Sequence, residues 1–484
     1  MSLQAAIDFW HELLAADPLT TWEQFQSATQ TDRLYFGTRP VCSVLRPHFL
    51  SPRAYSYLVE ASRIVRGALG KAYDYLLTHD ALRASLGVSS QEDALLALEP
   101  TRGPGDYSGR LDAFYLADAV PAAGQHPTLN FVEYNAESPG GLAFGESLSA
   151  IFRGLPLFAA FAQHYQVTSF APRPRILAEL LAGYRAWGGQ GKPRIAIVDW
   201  RGVRTYREFE LCQDYFRSQG YDVGIFDPDE LEQAPDGRLT AGDFAIDLVY
   251  KRVVTLELLA KYGTEHPLMR AVGQHTVCMV NSFNAVLLFN KGLFALLSDS
   301  AFPLDLSPVE RLVIRRHLPW TRLLVDGPTK VDGRTVDLLA YAAANRDSLV
   351  IKPTNDYGGR GVILGWECDQ AAWDAALSAG LQTPAIVQKR VPVPQANFPS
   401  IVDGRLDLSP RLVDVDPYVW GCADIAGGGV RLSTSSLLNV SAGDGSAAPL
   451  FVIEPVMRGL ASTPDPFSSP HNGEEKGGRG RLFT

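Results

Sequence analysis

No apolar run in this chain approaches the roughly 20 residues that a membrane-spanning helix needs, so a membrane role is not expected. Cysteine is scarce: Cys42, Cys212, Cys278, Cys368 and Cys422 are scattered, with no CxxC spacing. An odd, dispersed set fits a reducing compartment and offers no zinc pattern. Basic residues are in deficit, 44 Lys and Arg against 53 Asp and Glu. That balance argues against nucleic acid held on a basic surface, though it leaves room for a local phosphate site. The opening MSLQAAIDFWHELLAADP lacks the basic start and continuous apolar core of a signal peptide and reads as an amphipathic helix. A soluble, cytoplasmic protein is expected.

What is present is an ordinary globular composition, 46% hydrophobic and 20% charged. The 484 residues suffice for about three domain-sized units, each with a core that needs no disulfide or metal. Residues 1–90 carry apolar positions at helical spacing. SGRLDAFYLADAV and LNFVEYNAE read as two strands, joined by a loop with Pro121, Gly124 and Pro127, and GLAFGESLSAIFRG returns to helix. From 193 to 255, RIAIVDW, TYREFELCQDYFRSQG, YDVGIFDP and IDLVYKRVV alternate strand and helix, which predicts a parallel, Rossmann-like unit. It has no GxGxxG turn, so dinucleotide binding is not indicated. Residues from about 461 onward are rich in Ser, Pro, Gly and charge, the composition of a disordered tail.

Several constellations carry chemistry. Residues two apart on a strand face the same side, so Arg110 and Asp112 share one face, and Glu133, Asn135 and Glu137 share another. If the two strands pair, Asp112, Glu133 and Asn135 converge as oxygen ligands of the kind Mg²⁺ takes beside phosphates. The same alternation also describes a solvated face of an edge strand. Lys352 precedes PTNDYGGRG, where Gly358, Gly359 and Gly361 let backbone N–H groups line an anion. No Gly-Lys-Ser/Thr follows, so this is not a Walker loop, and a hairpin with a glycine turn explains it too. Lys291 stands before a helix, where a surface lysine is the ordinary reading. Gln388-Lys389-Arg390-Val391 ends an apolar strand, and a strand end can offer its backbone to an adenine edge. Arg431, in GGGVRLS, suits bidentate recognition of a carboxylate; a loop joining two strands explains it equally.

Together these segments resemble the circularly permuted ATP-grasp ligases, the group that includes glutathionylspermidine synthetase and eukaryotic-type glutathione synthetase. The resemblance spans roughly residues 105–455 and rests on RLD, EYNAES, IKP…GGRG and VQKRV in that order. In ordinary ATP-grasp chains the metal pair follows the glycine-loop lysine; here it precedes it. The resemblance implies a mixed α/β (α+β) fold with an N-terminal helical region at 1–105. The first part of the ATP-grasp core falls at 106–190, an inserted Rossmann-like domain at 191–280, and the lid and remaining core at 281–460.

It further implies ATP and Mg²⁺ as cofactors. Asp112, Glu133, Asn135 and Asp356 become metal ligands, and Lys291 and Lys352 phosphate contacts. Gly358, Gly359 and Gly361 become a flexible cover, with Gln388, Lys389 and Val391 along adenine. Arg110 would stabilise the acyl-phosphate and tetrahedral states, and Arg431 would face a substrate carboxylate. The implied reaction joins a small-molecule or peptide carboxylate to an amine through an acyl-phosphate. A phosphotransferase and a non-catalytic nucleotide binder on the same fold are the alternatives. Nothing in the chain resembles the amidase domain of glutathionylspermidine synthetases or a glutathione or spermidine pocket, so the substrates stay open.

Overall fold

The computed structural model describes residues 2–99, 106–117, 127–436 and 445–456. The segment expected to be a tail lies outside the described residues, as do Pro121, Gly124 and nearly all of LLNVSAGDG. Among the described residues no helix is long and apolar enough to cross a membrane.

The chain begins with the expected amphipathic helix, Leu3–Ala16, capped by Ser2, with Ala6, Trp10 and Leu14 turned inward. A longer helix, Pro52–Leu77, starts from Ser51 as N-cap with proline in its first turn. It buries Leu58, Val65, Leu69, Ala72 and Leu76, a stripe at helical spacing. That stripe faces the core of the largest sheet.

In this sheet Ser108–Leu116 and Thr128–Asn135 pair antiparallel. Ser108–Leu116 also pairs with Arg405–Trp420, which continues to Asp424–Ser433 and then Ser446–Ala448. Gln395–Val402 pairs with the first half of Arg405–Trp420. Segments some 300 residues apart are thus immediate neighbours, Arg110 standing opposite Tyr418. Phe131, Tyr134, Tyr418 and Trp420 are buried around this seam, and a large side chain so buried contributes about 1.5–3 kcal/mol. The glycines of GGGVRLS are strand rather than loop, which corrects one of the two sequence readings of that segment. Small residues are needed there because a Cβ on Gly429 would meet the Tyr418 hydroxyl at 3.2 Å, and one on Gly428 the Asp416 carbonyl oxygen at 3.1 Å.

A second sheet runs in the order Thr321–Leu323, Ala385–Lys389, Leu349–Pro353, Ile363–Leu364, all antiparallel. The helices Leu338–Ala344 and Gln370–Gly380 cover it, with Trp373 at its centre.

A third sheet is parallel, in the order Cys278–Val280, Leu248–Lys251, Ile195–Val198, Val223–Phe226. Its two central strands are buried along their whole length, as continuous apolar runs in parallel sheets are. The helix Tyr206–Ser218 stops where Gly220 turns left-handed at φ 82°. The chain order reverses between the two central strands, and at such a switch point a crevice opens beyond the strand ends.

Candidate active site

The Asp112 strand and the Glu133 strand pair in the register the alternation requires: Arg110 faces Asn135, and Asp112 faces Glu133. All four side chains therefore rise from one face, and a register shift follows between Asp112 and Ala113. Arg110 grips Asp112 bidentately, with Nε to Oδ1 at 2.7 Å and Nη2 to Oδ2 at 3.0 Å. Asn135 Nδ2 donates to Asp112 Oδ1 at 2.9 Å and to Glu133 Oε1 at 3.2 Å. Arg431 Nη2 adds a donation to Asp112 Oδ2 at 2.7 Å. Asp112, 2% exposed, thus accepts four hydrogen bonds, which fills the lone-pair sites of a carboxylate. Glu137 does not share the face expected of it. The strand ends at Asn135, and Glu137 turns into a buried network with Lys251 Nζ (2.7 Å) and the hydroxyl of Thr255.

Sequence reasoning missed two members of this cluster, Asp414 and Asp416. They lie two apart on the strand beside Arg431, and Asp414 is opposite it in register. Arg431 Nε donates to Asp414 Oδ2 at 2.9 Å and stands 3.0 Å from Asp416 Oδ2. Arg431 is therefore ringed by carboxylates of the protein itself. Burial opposes the charge on Asp112, but Arg110 and Arg431 outweigh it and hold that carboxyl below the usual range. Burial pushes Asp414 up and Asp416 well up, against the pull of Arg431. Three buried carboxylates share two guanidiniums, so Asp112 and Asp414 add to burial in raising Asp416. The DVD alternation at 414–416 was the available signal, the same period-two pattern as Glu133 and Asn135.

Of the two lysines, Lys352 lies on the second sheet and Lys291 precedes the helix Gly292–Ser298. Lys352 Nζ donates to Gln388 Oε1 at 2.9 Å, and Gln388 Nε2 donates to Thr321 Oγ1 at 3.0 Å, which fixes the amide. Burial pulls Lys352 down to about 8, with Glu133 partly opposing. Lys291 Nζ lies 3.6 Å from Glu133 Oε2 and donates to the Asp356 carbonyl oxygen at 2.5 Å. Asp356 uses its own carboxylate to hold the Tyr357 N–H at 2.8 Å. Gly358, Gly359 and Gly361 are all left-handed, at φ 66°, 77° and 66°, where a Cβ would strain the backbone. Lys389 directs its ammonium to Asp332 at 3.0 Å and its backbone N–H to Trp320 O at 2.8 Å. Next to it Arg390 stacks on Trp366 at 4.0 Å, a flat platform that no sequence spacing announced.

The parallel sheet supplies the opposite wall. Asp199 and Arg252 follow the two central strands at the switch point, and burial pushes Asp199 up to about 6. Arg252 Nη1 donates to Pro139 O at 2.9 Å and Arg110 Nη1 to Gly140 O at 3.0 Å, so the two arginines pin one loop between the walls. Glu208 accepts from Gly141 N and Ala143 N at the start of the helix Leu142–Gly154. Asp112, Asp416 and Arg431 from the largest sheet, Lys352 and Gln388 from the second, and Asp199 and Arg252 from the third border one cavity of about 860 Å³. Every residue singled out from the sequence borders it except Lys291, Asp356 and Gly361, which stand beside it.

Among the described residues no group of three or more His, Cys, Asp and Glu side chains is arranged to hold a metal ion. The donors that suit Mg²⁺ are Glu133 and Asn135. Asn135 turns its nitrogen toward carboxylates, which leaves its carbonyl oxygen as an acceptor beside Glu133. One carboxylate plus one amide oxygen fits an ion completed by phosphates and water.

No family model matches the chain, and no curated protein matches it in sequence. Among solved structures, a glutathione synthetase-like effector from Globodera pallida, in its apo form, superposes with a TM-score of 0.57 at 11% identity, over 90% of this chain and 98% of that one. D-alanyl-alanine synthetase A from Vibrio cholerae gives 0.24 at 12% identity, over 47% and 68%. An ATP-grasp RimK-domain protein from Sphaerobacter thermophilus gives 0.25 at 16%, over 53% and 89%. The likeness that spans nearly the whole chain is one of fold, a mixed α/β architecture shared with a glutathione synthetase-like protein.

Proposed function

We propose that the chain is an ATP- and Mg²⁺-dependent ligase that joins a carboxylate to an amine through an acyl-phosphate. The observation that carries this reading is the gathering, around one cavity, of Glu133 with Asn135, Arg110 with Arg431, and Lys291 with Lys352 beside a left-handed glycine loop. The chain on this reading is a circularly permuted ATP-grasp protein, with the parallel-sheet unit inserted on the substrate side. The likeness in fold to a glutathione synthetase-like protein agrees with this class of reaction.

In this reading Glu133 and Asn135 would hold a magnesium ion, which would supply Lewis-acid charge neutralisation beside the phosphates. Asp112 stays with its arginines and orients them; Asp356 serves the loop. Lys352 and Lys291 bind phosphate oxygens, and the N–H groups at Gly358, Gly359 and Gly361 close over them. Gln388 and Val391 border the adenine, and Lys389 contributes backbone only. A carboxylate oxygen of the substrate attacks the γ-phosphorus and ADP departs. The amine nitrogen then attacks the acyl carbon, phosphate departs and the nitrogen loses a proton. Arg110 and Arg431 face the oxygens on which charge grows, already oriented by buried aspartates, so they need no reorganisation during the reaction. Small-molecule or peptide carboxylates and amines are the partners proposed, in the cytoplasm.

Product analysis tests this. Incubation with Mg-ATP and pools of carboxylates and amines should release ADP and phosphate in step with an amide. Glu133→Ala and Lys352→Ala should each lower turnover by about 100-fold or more. A stable phosphoester without amide contradicts the ligase reading and establishes a phosphotransferase.

A further inference from the structure

The side chain of Tyr357 ties the glycine loop to the opposite wall of the cavity. The root of the loop is fixed from below, since Lys291 N donates to Thr354 O at 2.9 Å and Lys291 Nζ to Asp356 O at 2.5 Å. Residues 358–361 are exposed. Between root and tip stands Tyr357, whose hydroxyl donates to Glu257 Oε1. Glu257 belongs to the helix Thr255–Tyr262, on the parallel-sheet wall. Its other oxygen accepts from Trp200 Nε1 at 2.8 Å. Trp200 is held in turn by Lys261, whose ammonium lies 4.8 Å from the indole ring. On the loop side the Arg360 guanidinium covers the Tyr357 ring at 4.5 Å.

We propose that Glu257 is a positioning residue that latches the glycine loop shut, acting through the Tyr357 hydroxyl. What the loop covers rests on the ATP-site reading; the latch itself does not. A hydroxyl donating to a carboxylate makes a charge-assisted bond, stronger than a neutral one. Burial and Glu257 push the Tyr357 hydroxyl up to about 12, so it stays a donor across the neutral range. Trp200 follows Asp199 directly, at the end of a parallel strand that borders the cavity. The latch therefore joins the loop to the wall where a second substrate would lie.

Trypsin reads the latch directly, because the bond after Arg360 lies in the exposed part of the loop. Tyr357→Phe keeps the ring and its stacking on Arg360 and removes only the hydroxyl. Without nucleotide, full-length Tyr357→Phe and Glu257→Ala should each be cleaved after Arg360 about tenfold faster than the natural protein. Cleavage sites are mapped by mass spectrometry, and unchanged melting temperature and unchanged cleavage elsewhere show that the fold is intact. Cleavage of Tyr357→Phe at the natural rate overturns the latch. Adding Mg²⁺ with a non-hydrolysable ATP analogue separates the two claims. Faster cleavage in the variant without protection by the analogue in either protein upholds the latch and removes the ATP reading.

Discussion

Lys352 shows what a single buried charge decides. Burial pulls its ammonium down to about 8; Lys291 works in the same direction, and Glu133 and Asp112 work against it. A phosphate arriving beside it supplies the missing counter-charge and so favours the protonated form. Binding of Mg-ATP should therefore be at full strength below about pH 8 and weaken as pH rises through it, by up to about tenfold per unit. Equilibrium dialysis from about pH 7 to about pH 9.5 checks the slope. Lys352→Arg, which keeps its charge throughout, should flatten it; a flat profile in the natural protein contradicts the assignment. At this scale the sequence was informative wherever geometry is local. Arg110 with Asp112, and Glu133 with Asn135, share faces because side chains on a strand alternate. It did not show which residues meet where the partner is far along the chain. Nothing near Asp112 announces Asp414 or Asp416, and nothing near Tyr357 announces Glu257, because those contacts exist only once the sheets have assembled.

At the scale of elements, the paired strands of Arg110 and Asn135 carry the site, and their fit is tight. A Cβ on Gly109 would lie 2.2 Å from the Tyr134 hydroxyl. Tyr134 cannot move aside easily, since it is buried and its hydroxyl also engages Arg66 (3.2 Å) and Asp106. Gly109→Ala should accordingly destabilise the protein by about 1–3 kcal/mol, seen as a lowered melting temperature. An unchanged melting temperature would show that the strand can shift, and with it Arg110. Element types followed from the sequence because periodicity and capping are local: the helices at 3–16 and 206–218 and the central parallel strands lie where the pattern put them. The glycines at 427–429 misled because glycine marks two unlike situations, a turn and a close packing contact. Here the Tyr418 hydroxyl beside Gly429 and the Asp416 carbonyl beside Gly428 demand the second.

At the scale of the whole molecule, three sheets frame one cavity, and each brings a different part of the chemistry. The antiparallel core brings carboxylates and arginines, the second sheet brings Lys352 and the glycine loop, and the parallel unit brings Asp199, Trp200 and Glu257. The motifs spread along the chain could be read one by one because each is local to a strand or its following loop. The pairing of residues near 110 with residues near 418 was invisible, since nothing local encodes it. The most direct measurement is a calorimetric titration of Mg²⁺ with a non-hydrolysable ATP analogue into the full-length protein, Glu133→Ala and Lys352→Ala. The account predicts one magnesium-dependent site in the natural protein, lost or weakened by about 100-fold in both variants. No binding in the natural protein, or equal binding in all three, would contradict it.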